Sequence, residues 1–121
     1  EFGLEAYSEL LPQGVETRLT GNLIDLLSDN VKQRLLLARA FMRPSPIYLL
    51  DDPAGSLDFN GDKLLMKKIE QVRGRSTVIL TTYRPSHMRM ADNLVYLQNG
   101  MVAMAGSPTE ILEDVLKQQS R

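Results

Sequence analysis

Cysteine is absent from this chain of 121 residues, and histidine occurs only once. The absence of cysteine excludes disulfides and thiolate metal sites, and one histidine gives little support for another metal centre. An excess of positive charge is also missing, because 14 lysine and arginine residues face 15 aspartate and glutamate residues. The apolar runs at 35–38 and 78–80 are far shorter than the ~20 residues that span a bilayer. We therefore expect a soluble segment with no nucleic-acid partner.

Short apolar runs alternate with longer stretches of helical period, and this pattern predicts an α/β fold. A helix is predicted over 28–43, where Pro44 ends it, and its wide apolar face predicts that it is largely buried. The continuous apolar run 47–50 is typical of a strand buried on both faces of a parallel sheet. A second strand at 76–82 follows an intervening helix, so the two strands are predicted to pair in parallel.

Local signals predict how the remaining elements begin and end. Asn60 is expected to cap the helix between the two strands, and Gly74 is expected to end it. The dipeptide Asn99-Gly100 predicts an antiparallel hairpin. The segment 107–110 has the sequence of a capping box with proline at the first helical position, and it predicts a C-terminal helix. By contrast, residues 11–25 are interrupted by glycine and proline and predict a packed loop.

Two adjacent carboxylates, Asp51 and Asp52, directly follow the first predicted strand. A buried strand would hold Asp51 rigidly enough to coordinate Mg²⁺ through water, and Asp52 could orient an attacking water molecule. The same Asp-Asp-Pro sequence is also compatible with a plain turn in which an aspartate caps whatever follows. The pair therefore indicates a Walker B type of site and leaves a structural role open.

Seven segments around and including this pair resemble, in order and spacing, the C-terminal half of the nucleotide-binding domain of ABC transporters. They are Leu11–Gly14, Leu27–Ala40, Pro44–Asp58, Gly74–Thr77, Thr82–Ser86, Ala91–Asp92 and Gly100–Leu112. The resemblance covers nearly the whole chain. Leu11–Gly14 and the Arg-x-Ser sequence at 84–86 are most similar to exporter-type domains, including those that secrete peptides or toxins.

This resemblance implies an α/β fold, the C-terminal half of a P-loop NTPase (RecA-like) core with mostly parallel strands and a terminal β-hairpin. Residues 1–30 are expected to belong to the helical subdomain that carries the family's signature motif, and residues 31–121 to the core. The phosphate-binding sequence Gly-x-x-x-x-Gly-Lys-Ser/Thr does not occur in the chain. We expect that loop to lie upstream, so these residues alone should neither bind ATP tightly nor hydrolyse it.

The resemblance also implies a role for each candidate site residue. Asp51 corresponds to the metal-binding Walker B aspartate, Asp52 to the catalytic carboxylate and Tyr83 to the switch residue near the γ-phosphate. The cofactor-binding candidates are the signature residues and two residues of the interface segment known as the D-loop, namely Ser28, Asp29, Asn30, Val31, Ser56 and Asp58. Asp58 could equally cap the helix that follows it. The implied cofactors are ATP and Mg²⁺.

Several of these positions depart from the family pattern, whose signature reads Leu-Ser-Gly-Gly-Gln. Asp29 would place a carboxylate near a γ-phosphate, and one such pair costs on the order of 3 kcal/mol at ~5 Å with an effective dielectric of about 20. Asp52 stands where the family has glutamate, and a displacement of ~1 Å can cost ~100-fold in rate. Tyr83 replaces a histidine, and its neutral phenol lacks the two ring nitrogens of imidazole. The resemblance thus predicts a degenerate site that hydrolyses ATP slowly.

In this family, two nucleotide-binding domains enclose two ATP molecules and drive transmembrane domains. The leading hypothesis is an exporter's ATP-binding domain at the cytoplasmic face of the membrane, paired with a second such domain in a homodimer or heterodimer. One alternative is a regulatory or scaffold domain that kept the fold and lost the chemistry. Another is the ATPase head of a chromosome-maintenance or repair protein, in which a long coiled coil would precede the signature. Leu11–Gly14 and Gly106–Leu112 favour transport.

Overall fold

The computed structural model describes every residue from 1 to 121. The chain divides into two compact units, Glu1–Thr81 (unit 1) and Thr82–Arg121 (unit 2). The elements, in chain order, are α1 (Glu5–Ser8), a 3₁₀ helix (Gly14–Glu16), α2 (Gly21–Leu26), α3 (Asp29–Phe41), β1 (Ile47–Leu50), α4 (Phe59–Val72), β2 (Thr77–Leu80), α5 (Pro85–Met90), β3 (Leu94–Gln98), β4 (Met101–Gly106) and α6 (Pro108–Gln119). None of the helices is both long and apolar enough to cross a membrane.

Unit 1 is built around a strand–helix–strand crossover. β1 and β2 pair in parallel along their whole length, with Ile47 opposite Thr77, which confirms the predicted pairing. α4 joins the two strands and turns an apolar stripe inward, because its apolar residues recur at helical spacing. Its buried residues are Gly61, Leu65, Ile69 and Val72. Gly74 follows the helix with φ of +81°, the left-handed conformation in which glycine is favoured.

Only one face of the two-stranded sheet is covered. Tyr48 and Leu50 are buried, whereas Ile47 and Leu49 are 56% and 74% exposed. Side chains alternate between the two faces of a strand, so these pairs lie on opposite sides of the sheet. The prediction that the strand 47–50 is buried on both faces is therefore wrong for this chain.

Helix α3 has nearly the predicted bounds but is less buried than predicted. Ser28 caps it, because the serine Oγ accepts a hydrogen bond from the N–H of Val31 at 3.3 Å. The buried residues of the helix are Val31, Arg34, Leu37 and Phe41. Leu36 and Met42 are 57% and 71% exposed. The helix thus buries a single stripe of side chains, and its remaining apolar residues lie outside that stripe.

Two further predictions in unit 1 are corrected. Asp58 caps α4 instead of Asn60: its Oδ1 accepts from the N–H of Gly61 at 2.7 Å, because the extended backbone at Asp58 places the carboxylate over the first helical turn. Residues 11–25 are not one packed loop, since they contain the 3₁₀ helix and most of α2, and neither element has a buried residue. Glycine and proline exclude long helices here but permit single turns.

Unit 2 consists of α5, the hairpin of β3 and β4, and α6. Asn99 and Gly100 have φ of 53° and 74° at the hairpin turn, as the Asn-Gly sequence predicts. The antiparallel pairing shifts by one residue after Tyr96. At the start of α6 the N–H of Ser107 donates to Oε2 of Glu110 at 3.1 Å, and both halves of the capping box are present. The hairpin and the capped helix are therefore confirmed.

Candidate functional site

The aspartate pair lies at the carboxyl end of β1, and both Asp51 and Asp52 are exposed. Thr81 follows β2 and connects them. Its hydroxyl donates to Oδ1 of Asp51 at 2.7 Å and accepts from the N–H of Asp52 at 2.8 Å. Parallel strands end at the same edge of a sheet, which is why a residue after β2 reaches residues after β1. We call Asp51, Asp52 and Thr81 the aspartate corner.

The backbone turns sharply at Asp52, where φ is +43°. This left-handed conformation is uncommon for residues other than glycine and costs roughly 1 kcal/mol. The N–H of Gly55 donates to the carbonyl of Asp52 at 3.2 Å, which closes the turn. The carboxylate of Asp52 lies against Gly55 so closely that a Cβ at position 55 would collide with it. A side chain at position 55 would therefore require the carboxylate of Asp52 to move.

The aspartate corner suits Mg²⁺ bound together with phosphates. Asp51 offers a carboxylate, the hard oxygen ligand that Mg²⁺ prefers, and Thr81 fixes the orientation of that carboxylate. The structure contains no group of three or more histidine, aspartate or glutamate side chains that could hold a metal by themselves. Because Mg²⁺ is usually bound through one or two carboxylates plus water and substrate phosphates, the residues present fit this ion in the company of a nucleotide.

The N-terminus of α3 carries the predicted signature residues. Ser28 is exposed, and since its capping bond uses only an oxygen lone pair, its O–H can still donate to another group. The side chain of Asp29 is 85% exposed and lies 3.9 Å from Nζ of Lys32. Val31 is buried, so its side chain belongs to the core. Ser28 and Asp29 are therefore the side chains that this helix end presents to solvent.

Asn30 and Asp58, two of the predicted binding residues, contact each other. The N–H of Asp58 donates to Oδ1 of Asn30 at 3.1 Å, and Nδ2 of Asn30 donates to Oδ2 of Asp58 at 3.3 Å. Arg34 is only 4% exposed; its Nη2 lies 2.8 Å from Oδ1 of Asp58, and its Nη1 donates to the carbonyl of Phe2 at 2.6 Å. The guanidinium also lies 5.5 Å from the ring centre of Tyr7. We call Tyr7, Asn30, Arg34 and Asp58 the Asp58 cluster.

The charged form of the Asp58 carboxylate is favoured by its surroundings. The hydrogen bond from the N–H of Gly61 is the largest cause and lowers the pKa of Asp58 below its usual range. Arg34 and Asn30 lower this pKa further, and partial desolvation opposes them. Asp58 thus caps α4 and neutralises a buried cation, in addition to its predicted place in the D-loop. Ser56, two residues earlier, is exposed.

Sequence reasoning missed two residues that organise these groups. Thr81 falls inside the predicted strand 76–82, whereas β2 ends at Leu80 and leaves Thr81 at the carboxyl edge. A polar residue after the neighbouring parallel strand is the signal that could have found it. Arg34 lies on the buried stripe of α3, and a buried charge needs a partner of opposite charge. The sequence contains 15 acidic residues and does not single out Asp58 as that partner.

Tyr83, the predicted switch residue, lies in unit 2 just before α5, and its side chain is 82% exposed. Next to it, Oγ1 of Thr82 accepts from the N–H of Arg84 at 3.0 Å and lies 3.0 Å from Nδ1 of His87. His87 is 2% exposed, so the single histidine is a buried and hydrogen-bonded residue. The role of Tyr83 stays a prediction.

No protein-family model matches the chain. The chain is 38% identical over 93 residues to the probable ABC transporter ATP-binding/permease protein of Haemophilus influenzae, in an alignment that covers 77% of this chain and 17% of that protein. It is 34% identical over 110 residues to the ATP-dependent lipid A-core flippase of Legionella pneumophila strain Paris, which covers 90% of this chain and 18% of the flippase. These relatives agree with the transport hypothesis.

A solved structure of a bacterial Atm1-family ABC exporter with ATP bound shares the fold, with a TM-score of 0.80 and 25% identity. The match covers 98% of this chain and 22% of the exporter chain, and it confirms the predicted fold class. The chain spans less than a quarter of the length of each of these proteins. The predicted boundary between residues 1–30 and 31–121 stays a prediction. By sequence and by fold the chain is thus related to ABC exporters, and it corresponds to the C-terminal part of their ATP-binding domain.

Proposed function

We propose that this chain supplies the metal-binding and water-orienting carboxylates of an ATP site in an ABC exporter. Asp51 is the ligand of Mg²⁺, and Asp52 orients the attacking water through its carboxylate. Mg²⁺, when bound, neutralises charge on the nucleotide phosphates. Tyr83 occupies the switch position. Residues 31–121 belong to the core of the domain and residues 1–30 to its helical subdomain.

The observation that carries this proposal is the bridge made by Thr81. One hydroxyl fixes both the carboxylate of Asp51 and the backbone of Asp52, so two adjacent acidic residues are held at the open edge of the sheet. A capping role for this pair has no support, because the next helix begins only at Phe59 and is capped by Asp58. The arrangement therefore favours a binding site over the simple turn that the sequence left open.

The N-terminus of α3 is proposed to face a nucleotide held mainly by a second nucleotide-binding domain. The exposed O–H of Ser28 and the positive end of the dipole of this 13-residue helix both favour an anion. Asp29 opposes them, because its charge stays at the same helix end even though the side chain pairs with Lys32. We therefore expect weaker nucleotide contact than at a signature with two glycines. Ser56 and Asp58 belong to the same domain interface.

Hydrolysis at this site is proposed to be slow. Asp52 is one methylene shorter than the glutamate of the family pattern, and the tight turn at Asp52 fixes the backbone position from which its side chain projects. A deficit of about 1 Å in a positioned group can cost ~100-fold in rate. Tyr83, in place of histidine, removes an imidazole that could hydrogen-bond a phosphate.

The proposed partners are a second nucleotide-binding domain and transmembrane domains. In this proposal the protein works at the cytoplasmic face of a membrane, where closure of two ATP-binding domains around nucleotide drives the transmembrane part. The relationship to exporters supports this assembly at a coarse level.

Titration of the full-length protein with a fluorescent ATP analogue, with and without Mg²⁺, tests the proposal. Wild type is expected to bind in a Mg²⁺-dependent manner, and Asp51→Asn is expected to lose the Mg²⁺-dependent part. Asp25→Asn is the matched control, because Asp25 is an exposed aspartate of unit 1 outside the aspartate corner. Mg²⁺-dependent binding that survives in Asp51→Asn would contradict the assignment of Asp51.

Steady-state ATPase of the same protein tests the role of Asp52. Asp52→Asn is expected to bind ATP like wild type and to lose residual turnover, whereas Asp52→Glu combined with Tyr83→His is expected to raise turnover. Wild-type turnover equal to that of an exporter with intact motifs would refute the slow site.

A scaffold domain without nucleotide chemistry is the second candidate, and the carboxylate of Asp29 at the end of α3 favours it. A scaffold would stay folded and fail to bind ATP even at millimolar concentration. The titration therefore distinguishes the two functions.

A further inference from the structure

Asn30 makes every hydrogen bond that a side-chain amide can make. Its Nδ2 donates to the hydroxyl of Tyr7 and to Oδ2 of Asp58, each at 3.3 Å. Its Oδ1 accepts from the N–H of Asp58 at 3.1 Å and from Nε of Arg34 at 3.4 Å. Because an amide has two N–H donors and two acceptor lone pairs, these contacts use its whole capacity.

Two of these contacts hold the same residue. Asn30 binds Asp58 through both its backbone N–H and its carboxylate, which fixes the position and the orientation of that residue. Asp58 in turn caps α4 at Gly61 and pairs with the buried Arg34. The segment Ser56–Asp58 is thereby tied to the first turn of α3.

The chemistry of residue 30 makes this tie possible. Glycine, which the family pattern has at this position, would offer no side chain at all. Aspartate would accept hydrogen bonds but could not donate, and it would place a second carboxylate against Asp58. Asn30 is half-buried and fully satisfied, so turning toward a phosphate would break its existing contacts. Asn30 is therefore better placed to act through Asp58 than to contact a nucleotide.

We propose that Asn30 is a positioning residue that holds the segment Ser56–Asp58 against the N-terminus of α3, so that both segments present one fixed surface to a second nucleotide-binding domain. This positioning of Ser56–Asp58 by Asn30, which we call the hold, requires no nucleotide. Its consequence for nucleotide binding across the interface rests on the proposed function.

Amide hydrogen exchange in the full chain tests this proposal with Asn30→Ala. The exchange rate at the N–H of Asp58 is expected to rise about 2- to 10-fold relative to the amides of β1, the range that one hydrogen bond is worth. Asn60→Ala is the matched control, because Asn60 is the second residue of α4 as Asn30 is of α3. Asn60→Ala is expected to leave exchange at Asp58 at the wild-type rate.

A general loss of stability would raise the exchange rates of Asp58 and of the β1 amides equally, and that result would overturn the proposal. An unchanged exchange rate at Asp58 would overturn it as well. Should Asn30→Ala fail to fold, Asn30→Asp provides the second measurement. It loses both Nδ2 donors and places a second carboxylate against Asp58, so exchange at the N–H of Asp58 is expected to rise relative to the amides of β1. Exchange at Asp58 that stays at the wild-type rate in this variant contradicts the proposed role of Asn30.

ATP titration of the full-length wild type separates this proposal from the proposed function. Absence of ATP binding with a protected N–H at Asp58 overturns the proposed function and leaves the hold intact. ATP binding with an unprotected N–H at Asp58 overturns the hold and leaves the proposed function intact.

Discussion

The aspartate corner and the Asp58 cluster use the same side chain in opposite ways. In the corner, Asp51 and Asp52 are exposed, and one hydroxyl, that of Thr81, holds them. In the cluster, the carboxylate of Asp58 receives hydrogen bonds from Gly61, Asn30 and a guanidinium that is almost completely buried. All three aspartates are exposed, but the corner leaves its carboxylates with few partners, whereas the cluster engages both oxygens of Asp58 in hydrogen bonds.

The number of hydrogen-bond partners thus distinguishes a binding carboxylate from a structural one. A structural carboxylate has donors on several elements, because a buried cation or a helix terminus must be satisfied. A binding carboxylate is oriented by few contacts and retains exposed oxygen. Both kinds follow β1 within eight residues, so sequence position alone does not distinguish them.

The largest expected effect is the loss of Arg34 from the Asp58 cluster. Arg34→Ala removes the partner of Asp58 and leaves the buried carbonyl of Phe2 without its donor, so the free energy of unfolding should fall by about 2–4 kcal/mol. Urea denaturation of the chain measures this change. Arg39→Ala on the exposed side of the same helix is the control and should cost less than ~0.5 kcal/mol. Equal losses of unfolding free energy in the two variants would contradict the stabilising role assigned to the Asp58 cluster.

A smaller effect is expected from acid, through the lowered pKa of Asp58. A carboxyl group whose pKa is lower in the folded state than its ordinary value of 3.8 stabilises the fold above that value, and this stabilisation disappears as pH falls through the folded pKa. Asp58→Asn should therefore be less stable than wild type near neutral pH, and the difference should shrink in acid. Denaturation curves from about pH 6 down to about pH 2 measure the difference.

Comparison with Asp58→Asn is needed because other groups titrate in the same range. The pKa of Glu1 is lowered mainly by its hydrogen bond with Lys68. Titration of Glu1 therefore changes the free energy of unfolding in the same direction in wild type and in Asp58→Asn. Its contribution therefore cancels in the difference. A difference that does not change with pH would contradict the assigned role of Asp58.

A still smaller change in stability is expected at the aspartate corner. Thr81→Val removes two exposed hydrogen bonds at nearly constant volume, so the free energy of unfolding should fall by about 1 kcal/mol. Mg²⁺-dependent ATP binding by the full-length protein should weaken more than stability, because Asp51 loses its orientation. Thr81→Ser retains the hydroxyl and should restore both properties. A stability loss as large as that of Arg34→Ala would erase the distinction between the two regions.

The smallest effect is expected at Asp29, an exposed aspartate at the end of α3. Its contact with Lys32 spans 3.9 Å and lies in solvent, so Asp29→Ala should change the free energy of unfolding by no more than ~0.5 kcal/mol. Nucleotide binding by the full-length protein should strengthen, since a carboxylate is removed from the helix end. Weaker binding in Asp29→Ala would show that this carboxylate contributes to the site.

Much of the fold could be predicted because its signals are local. The strand 47–50, the hairpin at Asn99-Gly100 and the capping box at Ser107 each depend on neighbouring residues. The predictions that failed depend on competition or on distant groups. Asn60 and Asp58 are both suitable caps, and backbone conformation selected Asp58. The burial of α3 and β1 depends on which elements cover each face, which periodicity does not determine.

Order and spacing along the chain are enough to predict that two acids follow β1 and which family pattern the chain resembles. The tertiary contacts set which of these exposed acids have few partners and which is engaged by several donors. The reason is that Thr81 lies 30 residues from Asp51, and Asn30 lies 28 residues from Asp58. Only folding brings such distant donors and acceptors within hydrogen-bonding distance.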